Sequence, residues 1–150
     1  MMLAGEWIRL LAVRQIGVIS RTRSDRLGPL IDSGPFAWVR NPLYLGNIGI
    51  WVGFALVAQL PWLAPIFIGL LLFEYHAIVS WEEGLLLSRI GDAYRDYTMR
   101  VPRWIPHPPP AGAARPPHGQ FTWGDTLFSE RGTLLAIIFG LGLLWLKARF

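Results

Sequence analysis

The chain has 150 residues, of which 53% are hydrophobic and only 16% charged, and its mean hydropathy is +0.37. Because a soluble domain of this size carries about 25% charged residues, these values exclude an ordinary soluble enzyme, a disordered tail and a coiled coil, and they predict a membrane protein. Cysteine is absent, which excludes disulfides, thiolate nucleophiles and cysteine-based metal sites, and no metal site is predicted. The net charge of +4 comes from scattered arginines without the basic helix or zinc spacing of nucleic-acid modules, so no nucleic-acid partner is expected.

A hydrophobic hairpin is predicted in the middle of the chain. From Leu43 to Trp81 the only charged residue is Glu74, and residues 59–62 interrupt the apolar run with Gln, Leu, Pro and Trp. One membrane span needs about 20 helical residues, so this stretch is long enough for two. Pro61 suits the first turn of the returning helix.

Two further apolar segments flank the hairpin. Residues 1–19 contain three charged side chains and predict a helix that leaves the membrane at about Arg14, because charges are unfavourable at the bilayer centre. Residues 132–146 predict one more span, within a C-terminal segment of residues 131–150. The predicted fold is therefore an all-α, polytopic transmembrane helical bundle of about four membrane helices.

A different composition separates the hairpin from the last span. Residues 82–97 alternate charged and apolar faces, which predicts an amphipathic helix at the cytoplasmic surface. Prolines recur after Val101 and predict an extended linker, assigned to residues 107–130. The chain is thus divided into a membrane core of residues 1–106, the Pro-rich linker and an additional C-terminal helix.

Arginines on both sides of the hairpin predict its orientation, because cationic loops remain in the cytoplasm and the tip of the hairpin has none. The Arg-rich, Lys-poor composition is typical of a GC-rich bacterial genome, so the predicted location is the bacterial inner membrane with the active site facing the cytoplasm. The flanking arginines are Arg21, Arg23, Arg26 and Arg40 before the hairpin, and Arg89, Arg95, Arg100, Arg103, Arg115 and Arg131 after it.

The first candidate site is the segment from Arg40 to Gly46, where a cytoplasmic loop enters the hairpin. Pro42 near the helix start leaves free backbone N–H groups and the positive end of the helix dipole facing the aqueous side, which suits an anionic group. Arg40 adds a forked cation beside it. The alternative is a cationic membrane anchor followed by a helix-start proline.

The second candidate is the acidic pair Glu82-Glu83 at the cytoplasmic end of the hairpin. Carboxylates at a helix C-terminus oppose the helix dipole, so these acids are expected to accept hydrogen bonds from ligand hydroxyls or to face a cation; alternatively they begin a solvated face. Glu74 lies two turns earlier on the same helix face. An acid within a span is a candidate functional residue, or it pairs with Arg9 or Arg14.

Several short motifs follow one another between Gly5 and Pro106, over about two thirds of the chain. They are Gly5-x-x-x-Arg9-x-x-Ala12, Leu30-Ile31-Asp32-Ser33-Gly34-Pro35-Phe36, Val39-Arg40-Asn41-Pro42-Leu43-Tyr44-Leu45-Gly46, Glu82-Glu83-x-Leu85, Gly91-x-x-Tyr94-x-x-Tyr97 and Val101-Pro102-Arg103-Trp104-Ile105-Pro106. Together and in this order, these motifs resemble the isoprenylcysteine carboxyl methyltransferase and phospholipid methyltransferase superfamily.

The resemblance implies an integral-membrane enzyme that binds S-adenosylmethionine from the cytoplasm, releases S-adenosylhomocysteine and methylates a membrane lipid or a lipidated substrate. Carboxyl O-methylation of an isoprenylcysteine is the first expectation, and N-methylation of phosphatidylethanolamine is the alternative. Arg40 and Glu74 are the candidate catalytic residues. The implied cofactor-binding residues are Gly5, Arg40, Asn41, Pro42, Tyr44, Gly46, Glu82 and Glu83.

Two departures from the family pattern keep other hypotheses open. Many members have His where this chain has Asn41, and Asn cannot titrate near neutral pH. An amine acceptor would then need another base, for which Glu74 or His76 is available. The chain also starts within what is usually a later span, so one or two helices are expected to be missing, and a homo-oligomer could complete the bundle. A non-catalytic membrane scaffold and, less favoured, a membrane reductase are the alternatives.

Overall fold

The computed structural model describes residues 1–17, 30–109 and 121–149. These residues form helices and no strand, which confirms the all-α prediction. A short 3₁₀ helix, Gly34–Ala37, precedes the second α-helix. The five α-helices are α1 (Met2–Ile16), α2 (Pro42–Val57), α3 (Leu63–Ile90), α4 (Asp92–Arg100) and α5 (Trp123–Lys147). The predicted cationic residues Arg21, Arg23, Arg26 and Arg115 lie outside the described residues.

Helices α2 and α3 form the predicted hairpin. Pro42 is the first residue of α2, as expected from its fixed φ and missing N–H group. The turn is closed by a hydrogen bond from the Leu60 amide to the Ala55 carbonyl at 2.9 Å, and Gln59 takes a positive φ of 59° within it. Pro61 lies in this turn, two residues before α3 begins, rather than in the first turn of the helix.

Within the part of the chain that the structure describes, two helices are long and apolar enough to cross a membrane, α3 with 28 residues and α5 with 25 residues. Only 6% of the most apolar stretch of α3 is buried inside the protein, so most of its side chains face outward, as a lipid-facing helix requires. Helices α1 and α2 have 15 and 16 residues, fewer than the about 20 that a span needs. Of the about four membrane helices predicted, two are therefore supported by the structure.

The predicted amphipathic helix over residues 82–97 is wrong as a single element. Helix α3 continues through Glu82 and Glu83 to Ile90, because the stretch contains no proline and a single glycine, Gly84, is tolerated within a helix. Gly91 then adopts a φ of 68°, which side-chain-bearing residues rarely take, and separates α3 from α4. The apolar face of α4 is formed by Tyr94 and Tyr97, which are both buried.

The boundary of the C-terminal helix also differs from the prediction. Helix α5 begins at Trp123, so residues 123–130 are helical rather than part of the predicted linker. The Thr122 hydroxyl caps the helix by accepting a hydrogen bond from the Asp125 amide at 3.2 Å. This capping signal was overlooked because charged residues in the first turns of α5 interrupt its apolar pattern. Residues 110–120 of the predicted linker lie outside the described residues.

Glycines allow α1 and α2 to pack with their backbones in contact. Gly46, Gly49 and Gly53 form a stripe along α2 that faces Gly5 and Met2 of the antiparallel α1. A Cβ atom at Gly5 would lie 2.5 Å from the Gly46 carbonyl oxygen, closer than any side chain tolerates. Small residues serve helix association in membranes in this way. Gly5 and Gly46 thus belong to a helix interface.

We expect Gly5→Ala to destabilise the protein by about 1–3 kcal/mol, because the added methyl group would separate two backbones that touch. The matched control is Gly69→Ala on α3, where an added Cβ meets no atom within 4 Å. Gly69→Ala should be neutral or stabilising, since Ala is the better helix former. Thermal unfolding in detergent measures both. Equal melting temperatures for the two variants would contradict the backbone contact at Gly5.

Helix α5 is attached to α1 by a buried ion pair. The Arg9 Nη2 lies 2.6 Å from a Glu130 carboxylate oxygen, and both side chains are largely buried. Trp7 stacks on Trp123 with 5.8 Å between ring centroids, close to the same junction. Arg9 is therefore paired with Glu130, and the alternative that it pairs with Glu74 is wrong.

Candidate active site

A cavity of about 420 Å³ lies where the start of α2, the end of α3 and α4 meet. This volume falls within the range of small-molecule sites, about 300–1,000 Å³. Its walls are largely apolar with a few polar groups, a composition typical of such sites. The polar lining residues are Arg9, Arg40, Asn41, Tyr44, Asn47, Glu82, Tyr94 and Tyr97, and the apolar ones include Ile31, Phe36, Pro42 and Leu86.

The segment that follows α4 holds the loop before α2 in place. The Arg40 amide donates to the Pro102 carbonyl at 2.9 Å, and the Asn41 Nδ2 donates to the Arg103 carbonyl at 3.2 Å. The His107 amide donates to the Trp38 carbonyl at 2.9 Å farther along. Two segments that are distant in sequence thereby form one wall beside the cavity.

Glu83 joins two arginines beside the cavity. Its carboxylate lies 3.0 Å from Arg40 Nη1 and 2.5 Å from Arg103 Nη2. Because two cations share one carboxylate, this triad has a net charge of +1. The Arg40 Nε is buried and has no hydrogen-bond partner among the described residues, while Arg40 itself lines the cavity. A buried guanidinium donor of this kind is suited to an anionic ligand group.

The two adjacent acids have different surroundings. Glu82 lines the cavity, and its carboxylate accepts a hydrogen bond from the Tyr44 hydroxyl at 3.1 Å. The Tyr44 ring packs against Tyr75 at 4.6 Å between centroids, which fixes the hydroxyl. Glu83 points to the arginines instead and is absent from the cavity lining. The cavity therefore contains an acceptor, Glu82, and a cationic donor, Arg40.

Two tyrosines of α4 form the floor of the cavity. The Tyr97 hydroxyl donates to the Phe36 carbonyl at 2.8 Å, which ties α4 to the 3₁₀ helix. Burial and the nearby Glu83 carboxylate raise the pKa of Tyr94 to about 12, and burial raises the pKa of Tyr97 well above its usual value. Both hydroxyls are therefore neutral hydrogen-bonding groups at physiological pH.

The structure brings together five of the predicted site residues, Arg40, Asn41, Pro42, Tyr44 and Glu82, around one cavity. Glu83 does not line this cavity but forms an ion pair with Arg40. Gly5 and Gly46 lie in the α1–α2 interface, because the backbone contact there needs the space that their missing side chains leave. Glu74 is exposed on α3 and does not line the cavity, so its predicted catalytic position is not supported.

Arg103 and Asn47 are among the polar residues of the site that were not assigned from the sequence. Arg103 follows α4 and reaches Glu83 across 20 residues of chain, a contact that no local spacing predicts. Asn47 was overlooked although it stands three residues after Tyr44, on the same face of α2. Its side chain accepts from Arg9 at 2.5 Å and donates to the Tyr75 hydroxyl at 3.3 Å. The polar face of α2 was the signal that could have identified it.

Comparisons with known proteins identify the family of the chain. A family model described as phospholipid methyltransferase matches residues 1–92. The protein-S-isoprenylcysteine O-methyltransferase of Schizosaccharomyces pombe is 34% identical over 114 residues, which cover 68% of this chain and 45% of the relative. The chain thus matches less than half of the length of that relative, and no solved structure matches it. Since the family model matches more than half of the chain, the chain belongs to the isoprenylcysteine carboxyl methyltransferase and phospholipid methyltransferase superfamily.

Proposed function

We propose that this chain is an S-adenosylmethionine-dependent membrane methyltransferase that acts on the carboxylate of an isoprenylcysteine-type acceptor. The observation that carries the proposal is the cavity that is lined by both Arg40, whose Nε has no hydrogen-bond partner among the described residues, and Glu82. One site then offers a cationic donor and an anionic acceptor. The superfamily and the named relative supply the class of reaction.

The cavity fits the cofactor by charge and by hydrogen bonding. The methionyl end of S-adenosylmethionine is zwitterionic. Arg40 would therefore hold the methionyl carboxylate, and Glu82 would accept hydrogen bonds from the ammonium or from the ribose hydroxyls. Glu83 and Arg103 would hold Arg40 in position. When bound, S-adenosylmethionine supplies an electrophilic methyl group, and the protein contributes orientation and exclusion of water.

The titratable groups of the cavity support a carboxylate as the methyl acceptor. A carboxylate is ionised at neutral pH, whereas an ammonium must lose a proton before it can accept a methyl group. The described lining contains no histidine, and Asn41 occupies the position where many members of the family have one. Glu74 and His76, the bases suggested for an amine, are both exposed on α3 outside the cavity.

The proposed setting is the cytoplasmic face of a bacterial inner membrane. Helices α3 and α5 would span the bilayer, and the shorter α1 and α2 would complete the bundle within it. The cavity lies at the end of α3 that carries Glu82 and Arg89, next to Arg40 and Arg103. This arginine-rich end is the one that the positive-inside rule assigns to the cytoplasm.

We expect purified protein in detergent to bind S-adenosylmethionine and S-adenosylhomocysteine with a Kd in the micromolar range by isothermal titration calorimetry. Arg40→Ala should weaken binding about tenfold or more, because a hydrogen bond to a charged group is lost. Arg95→Ala is the matched control, since Arg95 is an exposed arginine of α4 outside the cavity lining. Folded wild-type protein that binds neither compound would reject the proposal in favour of a non-catalytic scaffold.

N-methylation of phosphatidylethanolamine is the second candidate, because the matching family model is described as phospholipid methyltransferase. The two candidates differ in acceptor. Transfer of a radiolabelled methyl group to N-acetyl-S-farnesylcysteine supports the first, and transfer to phosphatidylethanolamine in vesicles supports the second. In the second case a base would be required, and neither Glu74 nor His76 lines the cavity.

A further inference from the structure

A groove of about 460 Å³, here called the α1 groove, lies between α1, the 3₁₀ helix and the start of α2. Along α1 it extends from Ile8 to Gln15, about 10 Å at a rise of 1.5 Å per residue. Its lining is largely apolar and includes Trp38, which is 49% exposed, so the groove is open to the surroundings of the protein. Other apolar lining residues are Leu11, Leu45 and Pro106.

The α1 groove and the active-site cavity lie on different sides of the α1–α2 pair. On α2, Leu45 lines the groove and Tyr44 lines the cavity, and successive helical residues point about 100° apart. On α1, Leu11 lines the groove and Arg9 lines the cavity. Pro42 is in contact with both spaces. A ligand in the α1 groove would therefore leave the active-site cavity open.

Arg14 supplies the charge of the α1 groove, whose other described lining residues are all uncharged. The Arg14 guanidinium lies 4.6 Å from the centroid of the Trp123 ring, and its Nε donates to the Phe121 carbonyl at 3.3 Å. Among the described residues, its two terminal nitrogens have no hydrogen-bond acceptor and no carboxylate pairs with it. An apolar groove beside one uncompensated guanidinium is complementary to an anionic amphiphile.

Hydrogen bonds hold the walls of the α1 groove in place. The Gln15 side chain donates to the Ser33 hydroxyl, which ties the end of α1 to the segment before the 3₁₀ helix. The bond from the His107 amide to the Trp38 carbonyl keeps the segment of Pro106 beside that helix. The Phe121 amide donates to the Arg14 carbonyl at 2.9 Å. The groove is thus formed before any ligand enters it.

We propose that the α1 groove binds an anionic phospholipid of the bilayer, with the lipid phosphate on Arg14 and one acyl chain along Ile8 and Leu11. The inference goes beyond the proposed function, because it requires neither the cofactor nor the methyl acceptor. Arg14 is in the last turn of α1, between the half-exposed Trp38 and Trp123. Tryptophans are enriched at the depth of lipid headgroups, and basic pockets between membrane helices bind anionic headgroups.

Native mass spectrometry of the full chain in detergent tests the charge of the site. Phosphatidylglycerol and phosphatidylcholine with the same acyl chains are titrated separately, and the wild type should bind the first phosphatidylglycerol about tenfold more tightly. Arg14→Gln should remove this preference. Arg131→Gln is the matched control and should retain it. Arg131 also lies over an aromatic ring, that of Phe128 at 4.0 Å, and donates to a backbone carbonyl, but it lines neither the groove nor the cavity.

A second pair of variants tests the apolar part of the α1 groove without changing its charge. Leu11→Trp places a larger side chain in the groove and should weaken the binding of phosphatidylglycerol about tenfold. Leu3→Trp is the matched control, because Leu3 is on the same helix, is 77% exposed and lies outside the lining. Its affinity for phosphatidylglycerol should equal that of the wild type.

Three outcomes would overturn the inference: equal wild-type affinity for the two lipids, a preference that Arg14→Gln retains, and displacement of phosphatidylglycerol by N-acetyl-S-farnesylcysteine, which would assign the groove to the methyl acceptor. Calorimetry separates the inference from the proposed function. All four variants should bind S-adenosylmethionine like the wild type, because none of the changed residues lines the active-site cavity. If the wild type binds no S-adenosylmethionine, the proposed function fails while the lipid titrations still decide the groove.

Discussion

Glu82→Gln is expected to weaken the binding of S-adenosylmethionine and S-adenosylhomocysteine by about tenfold to a hundredfold. The substitution keeps the size of the side chain but removes the negative charge that lines the cavity. A hydrogen bond to a charged group contributes about 1.5–3 kcal/mol, and each 1.4 kcal/mol corresponds to a factor of ten in affinity. Fold and helix content should be retained, because Gln can still accept the hydrogen bond from Tyr44. Calorimetry in detergent provides the affinity, and circular dichroism checks the fold.

Glu74→Gln is the matched control for this prediction. Both acids are on α3 and were assigned to one helix face, but Glu74 is exposed and Glu82 lines the cavity. The same change of charge at Glu74 should leave affinity and turnover at wild-type values. A loss of affinity at Glu74 with none at Glu82 would reverse the assignment and place the cofactor on another surface of α3.

The hairpin and the start of α2 were predictable because their signals are local. The long apolar run, the interruption at Pro61 and the position of Pro42 all act within one or two helical turns. Local pattern also singled out Arg40, two residues before α2, and Glu82 on α3, and both line the cavity.

Contacts between distant segments explain the predictions that were incomplete or wrong. A sequence pattern marks Gly5 and Gly46 as special but does not say whether a ligand or another backbone occupies the space. Here each glycine faces the other. Glu82 and Glu83 are adjacent, yet their directions depend on Tyr44 and Arg103, which are remote in sequence. The end of α3 was misplaced because charged residues that continue a helix resemble those that start a surface helix.

Arg9→Met is expected to reduce the free energy of unfolding by about 3–5 kcal/mol, because removing one partner of a buried ion pair leaves a buried charge without compensation. The effect should be large here, since Arg9 faces two acids, Glu130 at 2.6 Å and Glu6 at 3.7 Å. Both Glu6 carboxylate oxygens are buried without a hydrogen-bond partner among the described residues, and Arg9 is the cation that lies near one of them, Oε2. Thermal or denaturant unfolding in detergent, followed by tryptophan fluorescence, measures the change.

Glu130→Gln distinguishes this explanation from a simple loss of packing. In that variant Arg9 still faces Glu6 and still donates to Asn47, and the amide oxygen of Gln can accept from Arg9. We therefore expect a smaller loss of about 1–2 kcal/mol, typical of a weakened hydrogen bond. The loss of stability in the double variant Arg9→Met/Glu130→Gln should be smaller than the sum of the losses in the two single variants, because the uncompensated Glu130 charge has been removed. Equal losses for the two single variants with simple additivity would show that Arg9 stabilises the junction of α1 and α5 by packing rather than by charge.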